Sequence, residues 1–387
     1  MYSKTAFRVA PLVPIFLSST SIALCDEPST VDRIRGNYEN KIRFFANPEK
    51  IFETFANIRE EEGVFMSYKD FFHSLTPYNF NVPSEGKKDY FEENTPEIMS
   101  LVDVNNDKKI DFNEYIFFIT ILQLHEGEMK RTFKKINPEK ETMTKEQFEV
   151  ELTKLRKATA LGSKQQNKSI LPDGRKITTV EDDLLKCNKS LIAHLFKGKE
   201  AIDIHDFTDL KRKLKEALLH YEFNQFDTDE DGMIWAEDFA KSLLSCLSFT
   251  RAYSYLTRIQ NLNLEGRVSF SEYIAFHNLI EKADLIKSKI ITYRLLDRSD
   301  FRELCDDFAQ MDTYLKDKGY KISDVQVDTF IKILDDDKNG MLEYEEVIDV
   351  LEGKKNIGIG KDVEFKNEMI DKFKKYYKKF QKTVGWS

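Results

Sequence analysis

The feature that most constrains this chain is a twelve-residue polar loop that recurs between helical stretches. In each copy the eighth position is apolar, and an aromatic or aliphatic residue at the thirteenth position opens the next helix. Repetition of this kind indicates one supersecondary unit used many times, so the fold follows largely from that unit. Three copies rich in carboxylates begin at Asp103, Asp227 and Asp335, and weaker copies span residues 59–70, 136–147, 195–206 and 261–272.

The spacing is that of the EF-hand, a helix–loop–helix unit whose loop offers oxygen ligands to calcium at positions 1, 3, 5, 7, 9 and 12. The eighth residue forms a short strand that pairs two loops, so it must be apolar and suit extended backbone. It is apolar even where the ligands are missing, which predicts that the fold is kept where the metal site is not. The residues at this position are Met66, Ile110, Met143, Ile202, Ile234, Val268 and Leu342.

Apolar residues recur at helical spacing beside the loops, as at Leu210, Leu214 and Leu218. We expect an all-α protein with two EF-hand lobes, built from paired functional and degenerate EF-hands, plus a C-terminal amphipathic helix. A polar stretch with Pro172 and Gly174 predicts the linker between the lobes. The expected divisions are a targeting segment (1–30), a basic segment (31–58), an N-terminal EF-hand lobe (59–157), the linker (158–180), a C-terminal EF-hand lobe (181–352) and the C-terminal helix (361–384).

The loop DDDKNGMLEYEE, residues 335–346, meets every requirement for calcium. Gly340 supplies the sharp turn at position 6, and Leu342 stands at position 8. The predicted ligands are Asp335, Asp337, Asn339, the backbone carbonyl of Met341, Glu343 and Glu346.

The loop DTDEDGMIWAED, residues 227–238, departs from the pattern twice. Asp238 at position 12 is one methylene shorter than glutamate, and Trp235 at position 9 offers no ligand. Both changes weaken calcium binding and make magnesium binding relatively more favourable, because magnesium accepts fewer protein ligands and keeps its waters. The predicted ligands are Asp227, Asp229, Asp231, the carbonyl of Met233 and Asp238.

The loop DVNNDKKIDFNE, residues 103–114, has all its ligands but carries Lys108 where the turn normally requires glycine. A residue with a side chain costs on the order of 1–2 kcal/mol when its backbone adopts the left-handed conformation. That cost weakens binding about tenfold without abolishing it, so we expect a site of moderate affinity. The predicted ligands are Asp103, Asn105, Asp107, the carbonyl of Lys109, Asp111 and Glu114.

The remaining copies are expected to be structural. Residues 261–272 keep Glu265 and Glu272 but lack an aspartate at position 1, which favours a partner loop without metal. No G-x-S-x-G, P-loop or Cys/His motif is present, so we do not expect an enzyme. The net charge of −8 argues against nucleic acid as a partner.

The two ends carry further signals. Residues 1–30 hold Lys4 and Arg8 as the only charges before Asp26, which fits either a secretory signal peptide or a mitochondrial presequence. Near the other end, Met369, Phe373, Tyr376 and Phe380 share one helical face. The opposite face is basic and either binds an anionic membrane or acidic partner or is simply solvated. Its lysines include Lys374, Lys375, Lys378 and Lys379.

The segment YENKIRFFANPEKIFETFANIR, residues 38–59, resembles the mitochondrial calcium uptake proteins, the EF-hand regulators of the calcium uniporter. The resemblance continues through GVFMSYKDFF (63–72) and IDFNEYIFFITIL (110–122), and it covers about residues 35–385. It implies a calcium-sensing gatekeeper in the mitochondrial intermembrane space, peripheral to the inner membrane. Such a protein blocks uptake at low calcium and releases the block when calcium binds.

The same resemblance implies the partners. They are the uniporter pore subunit, its small membrane adaptor, a second subunit in a homo- or heterodimer, and the anionic inner membrane. The residues implied to face acidic groups at the pore mouth are Arg33, Arg35, Lys41 and Arg43. This chain differs from most animal members because residues 136–147 lack ligands while residues 103–114 keep them. The alternative is an EF-hand buffer or sensor of the secretory pathway without a channel partner.

Overall fold

The computed structural model describes residues 30–351, except for residues 62, 79–97, 104–105, 125, 159–191, 248, 294, 345 and 348–349. Helices dominate, and the strands are only two or three residues long, so the expected all-α class is confirmed. The predicted C-terminal helix, residues 1–29 and the linker beyond Ala158 lie outside the described residues.

The helices of the first part of the chain are Thr30–Phe45, Pro48–Phe55, Tyr68–Leu75, Met99–Val102, Phe112–Gln123, Glu126–Ile136 and Lys145–Ala158. Those of the second part are Ile204–Asn224, Ala236–Leu244, Phe249–Asn261, Phe270–Glu281, Ala283–Tyr293, Arg298–Met311, Thr313–Lys318 and Asp324–Leu334. The strands are Ile58–Glu60, Gly63–Phe65, Thr142–Thr144, Ala201–Asp203, Met233–Trp235, Arg267–Ser269, Leu296–Asp297 and Met341–Leu342.

The position-8 residues join the loops in antiparallel pairs. Met143 lies opposite Ile202, and Ile234 lies opposite Val268. Met66 and Ile110 form an isolated bridge whose two N–O distances are 3.0 and 2.8 Å. The pairs are therefore 59–70 with 103–114, 136–147 with 195–206, and 227–238 with 261–272.

The loop 335–346 pairs with a copy that the sequence analysis missed. Leu342 lies opposite Leu296, which places Leu296 at position 8 of residues 289–300. This segment, KIITYRLLDRSD, has no acid at positions 1, 3 or 5, so a search guided by ligands passes over it. The detectable signal is the apolar Leu296 followed five residues later by Phe301, both fully buried.

In several of the loops, the side chains at positions 9 and 12 also cap the helix that follows. The Asp111 side chain accepts a hydrogen bond from the Glu114 backbone N–H at 2.7 Å, and the Glu114 side chain accepts one from the Asp111 N–H at 3.0 Å. This capping box satisfies N–H groups that have no partner within the helix. Ser269 and Glu272 form the same box in a loop expected to be structural. An acid at position 12 therefore has a folding role that is independent of metal.

The buried residues form two hydrophobic clusters. The first runs from Ile51 to Leu218 and the second from Leu219 to Leu351. The long helix Ile204–Asn224 contributes to both, and residues 192–218 pack with the N-terminal loops. The domain bounds remain a prediction; within the described residues the change of core falls between Leu218 and Leu219.

Leu296→Ala tests the missed loop. We expect a loss of about 2–5 kcal/mol in the free energy of unfolding, because a fully buried leucine is truncated. The neighbouring Leu295 is 37% exposed, so Leu295→Ala is a matched control with a small expected effect. Urea denaturation measures both. Equal losses would contradict the assignment of Leu296 to the paired strand.

Candidate metal-binding loops and the helix Thr30–Phe45

The three carboxylate-rich loops share one backbone conformation. In each of them positions 4 and 6 have positive φ, in the left-handed region that disfavours side chains. The φ angles are 54° at Asn106 and 61° at Lys108, 56° at Glu230 and 81° at Gly232, and 59° at Lys338 and 79° at Gly340.

The position-1 aspartate holds this turn together. In the first loop, Asp103 accepts hydrogen bonds from the N–H groups of Asp107 at 3.2 Å and Lys108 at 2.8 Å. Asp227 accepts at 3.2 and 2.9 Å from Asp231 and Gly232. Asp335 does so at 3.1 and 2.8 Å from Asn339 and Gly340. The position-5 side chain then accepts from the N–H of position 7 in all three loops.

Lys108 therefore occupies the glycine position in the conformation that the sequence analysis expected. Its φ of 61° shows that the turn forms without glycine. The hydrogen bonds to Asp103 offset the conformational cost, which is on the order of 1–2 kcal/mol. The affinity of the loop remains a prediction.

In the loop 335–346, carboxylate oxygens of Asp335, Asp337 and Glu346 all lie within 4.8 Å of one another. Glu346 also accepts hydrogen bonds from the backbone N–H groups of Asp336 at 2.7 Å and Glu343 at 2.8 Å. Clustered hard oxygen donors suit a divalent cation such as calcium. Positions 1, 3 and 12 thus converge as the motif predicts.

In the loop 227–238, Asp227, Asp229 and Asp231 form a similar group within 4.8 Å. Asp238 does not join them and instead forms an ion pair with Lys241 at 3.0 Å. Burial raises the pKa of Asp238, which the Lys241 charge partly counteracts. The shortened acid at position 12 is therefore paired with its own helix.

A second cation meets the same loop from its partner loop. The Arg267 guanidinium contacts Asp231 and Asp229 and donates to the backbone carbonyl of Met233 at 2.9 Å. Its hydrogen bond to Asp231 holds the pKa of that carboxyl below its usual value. The same guanidinium lies 4.9 Å from the ring centroid of Trp235. Sequence reasoning missed Arg267 because the loop 261–272 was judged only by its own ligands.

In the loop 103–114, the Tyr68 hydroxyl from the partner loop donates to Asp103 at 2.7 Å. Burial and this hydrogen bond raise the pKa of Tyr68. The Lys109 ammonium pairs with Glu60 at 2.6 Å, and its backbone carbonyl is the predicted ligand. Asn105 lies outside the described residues. Among the described ligand positions of this loop, no three carboxylates group as closely as in the other two loops.

In the helix Thr30–Phe45, the position of Arg43 contradicts its predicted role as a contact residue. Arg43 is fully buried, not exposed as a contact with an external partner requires. Its guanidinium donates to the Asn40 side chain and the His73 carbonyl, both at 2.8 Å, and lies 4.5 Å from the Phe55 ring centroid. Burial lowers the pKa of Arg43 to about 10, against the opposing effect of Glu39. The residue therefore holds this helix to the N-terminal core.

Glu39 completes the buried network. One of its carboxylate oxygens lies 3.5 Å from Arg43 and 3.1 Å from His73. Burial by itself raises the pKa of Glu39, but His73, Arg43 and Arg35 together lower it to about 2. Glu39 is therefore charged at neutral pH. Its negative charge compensates the buried positive charge of Arg43.

The other predicted contact residues lie differently. The Arg35 side chain is 78% exposed and pairs with Glu39 at 3.0 Å. Lys41 is exposed on the same helix, and the side chain of Arg33 lies outside the described residues. Lys374, Lys375, Lys378 and Lys379 also lie outside them.

Paired helix–loop–helix units with strand-linked loops and clustered carboxylates define an EF-hand protein. Over 341 residues the chain is 27% identical to the mitochondrial calcium uptake protein of Arabidopsis thaliana, covering 81% of this chain and 65% of that relative. It is 25% identical over 354 residues to calcium uptake protein 1 homolog of Caenorhabditis elegans, covering 83% and 63%. With calcium uptake protein 1 of Homo sapiens the identity is 24% over 361 residues, covering 85% and 71%.

These matches confirm the resemblance to the mitochondrial calcium uptake proteins over most of the chain. It spans 65% and 63% of the lengths of the plant and nematode relatives. No protein-family model matches the chain.

Two solved structures support the fold. The apo structure of EFHA2 aligns with a TM-score of 0.54 at 21% identity, covering 81% of this chain and 98% of that one. The apo structure of the mitochondrial calcium uniporter protein MICU2 aligns with a TM-score of 0.52 at 19% identity, covering 87% and 97%. At these identities the likeness shows the EF-hand fold. Among the described residues, no helix has the length and apolar character to span a membrane.

Lys108→Gly tests the strained turn. We expect about tenfold tighter calcium binding by the loop 103–114, because glycine adopts φ near 60° without the steric cost. Calorimetric titration in an Asp238→Asn, Glu346→Gln background isolates this loop. Lys108→Ala removes the charge but keeps the Cβ, so it should gain less. Equal gains from both variants would assign the effect to charge.

Arg43→Met tests the buried network. We expect a loss of about 3–5 kcal/mol in the free energy of unfolding, since one partner of a buried pair is removed. Arg35→Met, at the exposed partner of the same Glu39, should cost less than about 1 kcal/mol. Denaturant unfolding compares them. A small loss for Arg43→Met would show that Arg43 is not needed to hold the helix.

Proposed function

We propose that this chain is a calcium-sensing regulatory subunit of the mitochondrial calcium uniporter. It blocks uptake at low calcium and releases the block when calcium binds its EF-hands. The observation that carries the proposal is the carboxylate group of Asp335, Asp337 and Glu346 in a homologue of calcium uptake proteins. The proposed role is regulatory and not enzymatic.

The proposed metal is calcium in the loops 335–346 and 103–114, with magnesium as a competitor in the loop 227–238. The ligands are those that the motif predicts. Carboxylate and carbonyl oxygens would hold the ion, and the ion would supply the positive charge that draws these oxygens together. A ligand shifts a two-state equilibrium only by its difference in affinity for the two states. Each loop is paired through its short strand with a partner loop. A change in one loop on calcium binding can therefore be transmitted to its partner.

The proposed partners are the pore subunit of the uniporter, its small membrane adaptor and a second regulatory subunit. The proposed location is the intermembrane space, peripheral to the inner membrane, where the basic lysines of residues 361–384 would meet anionic lipid. The pore contact is assigned to Arg33, Arg35 and Lys41. Arg35 and Lys41 are exposed on one helix, as such a contact requires.

Removal of the position-12 acids counts the metal sites. Glu114→Gln and Glu346→Gln should each abolish one calcium site in calorimetric titration, with the tighter site lost in Glu346→Gln. Glutamine still caps the helix, so the fold is kept. Glu272→Gln makes the same change in a loop proposed to be structural and should leave every site intact. Loss of a site in Glu272→Gln, or no loss in Glu346→Gln, would contradict the ligand assignment.

Charge reversal tests the pore contact. Arg35→Glu combined with Lys41→Glu should release calcium uptake at low calcium, because like charges would then face the acidic pore mouth. The assay is uptake by mitochondria whose own uptake protein is deleted. Lys130→Glu reverses an exposed charge on another helix and should keep the block. A block that survives the double reversal would rule out this contact.

A fusion of residues 1–30 to a fluorescent reporter tests the location. Delivery to mitochondria is the expected result. Delivery to the endoplasmic reticulum would favour the secretory sensor instead and would contradict the uniporter role.

A further inference from the structure

The loop 227–238 differs from the other two carboxylate-rich loops because an arginine reaches its predicted ligand oxygens. Nη2 of Arg267 lies 2.8 Å from Oδ1 of Asp231 and 3.4 Å from Oδ2 of Asp229, and it donates to the Met233 carbonyl at 2.9 Å. These are positions 3, 5 and 7 of the loop. Nη1 contacts the second oxygen of Asp231 at 2.5 Å, which makes the pair bidentate. One nitrogen thus contacts three of the groups that would hold a metal ion.

The position-12 acid of this loop is also engaged by a cation. Lys241 lies 3.0 Å from Asp238 and 3.0 Å from Glu237. Four of the five predicted ligand groups, at positions 3, 5, 7 and 12, are therefore already bound by side-chain cations. The fifth, Asp227, is held by backbone N–H groups in the loop.

The other two loops show a different pattern among the described residues. Arg258 lies beside the loop 335–346, but it pairs with Asp336 at position 2, whose side chain is not a predicted ligand. Lys109 of the loop 103–114 pairs with Glu60 in the neighbouring loop. These contacts of Arg258 and Lys109 are to groups outside the predicted ligand set, whereas Arg267 contacts two predicted ligand carboxylates of its loop.

Arg267 is held at this place by the fold. It lies directly opposite Trp235 in the short strand pair that joins the two loops. Its guanidinium packs over the Trp235 ring at 4.9 Å, and Trp235 is 57% exposed. A cation on an aromatic face is favourable at the surface. The exposed ring face therefore remains available to the guanidinium when it leaves the carboxylates.

We propose that Arg267 is a tethered competitor that sets the metal affinity of the loop 227–238. A divalent cation and the guanidinium require the same oxygens and repel each other, so only one of them occupies the loop at a time. The apparent affinity is the intrinsic affinity multiplied by the fraction of molecules in which Arg267 is displaced. The loop therefore fills at a higher calcium concentration than 335–346. This inference rests on the proposed metal binding by the loop.

The experiment uses Trp235 as a local probe. The chain has two tryptophans, so Trp386→Phe leaves Trp235, beside the loop, as the single tryptophan. Glu114→Gln and Glu346→Gln in the same full-length chain silence the other two loops. Calcium is titrated against tryptophan emission, with calorimetry as a second readout. Arg267→Met, Arg267→Lys and Arg298→Met are compared in this background.

Arg267→Met should tighten calcium binding about tenfold or more, because the competing charge is gone. Arg267→Lys should lie between, since its ammonium cannot form the bidentate contact. Arg298→Met is the matched control: this arginine also lies in a partner loop, but it pairs with Asp324 and Asp328 on a helix. It should leave the affinity unchanged.

The outcomes distinguish the competitor role of Arg267 from metal binding by the loop 227–238. Equal affinities in the parent and Arg267→Met would overturn the competitor while leaving metal binding by the loop in place. Absence of any calcium response in both would remove the loop from the proposed metal sites, and the competitor with it. The same gain in Arg298→Met would also overturn the competitor, because it would mark a general effect of charge.

Discussion

The contact between two apolar residues at the eighth positions of paired loops is the interaction on which this structure depends. Met66 with Ile110 and Leu296 with Leu342 show it at the two ends of the series, all fully buried. Each contact fixes two loops side by side and buries the aromatic or aliphatic residue that opens the following helix. Loops without ligand chemistry keep it because the cores of both halves are assembled from it. The predicted metal ligands lie in loops that this packing already holds in place.

The sequence predicted the repeat, the fold class and the turn at Lys108, because these depend on local spacing and on short backbone hydrogen bonds. It did not predict what distant residues do to a site. Arg267 reaches the loop 227–238 only because a strand places it opposite Trp235. Arg43, which the resemblance assigned to the pore contact, is held in the core by the His73 carbonyl and the Phe55 ring, which come from other helices. Such contacts depend on tertiary structure and produce no recognisable spacing of residues in the sequence.

The capping boxes limit what an acidic residue in these loops can be taken to mean. The loop that contains Glu272 has no aspartate at position 1. Glu272 forms a capping box with Ser269 at the start of the next helix. Glu114 forms one with Asp111 in a loop whose sequence fills every predicted ligand position. The same carboxylate geometry thus serves folding in one loop and is available to a cation in another. Loss of a metal site in this fold therefore need not cost stability at position 12.

The helix Ile204–Asn224 belongs to both cores. Its 21 residues make a rod of about 30 Å, with Leu214 packed in the first cluster and Phe223 in the second. On the same helix, Lys215 pairs with Glu281 at 2.7 Å and Lys211 donates to the Leu124 carbonyl. The two clusters consequently share one continuous helix, which crosses the boundary between them. Because the helix is continuous, a tilt that repacks Leu214 in the first cluster would also displace Phe223 in the second.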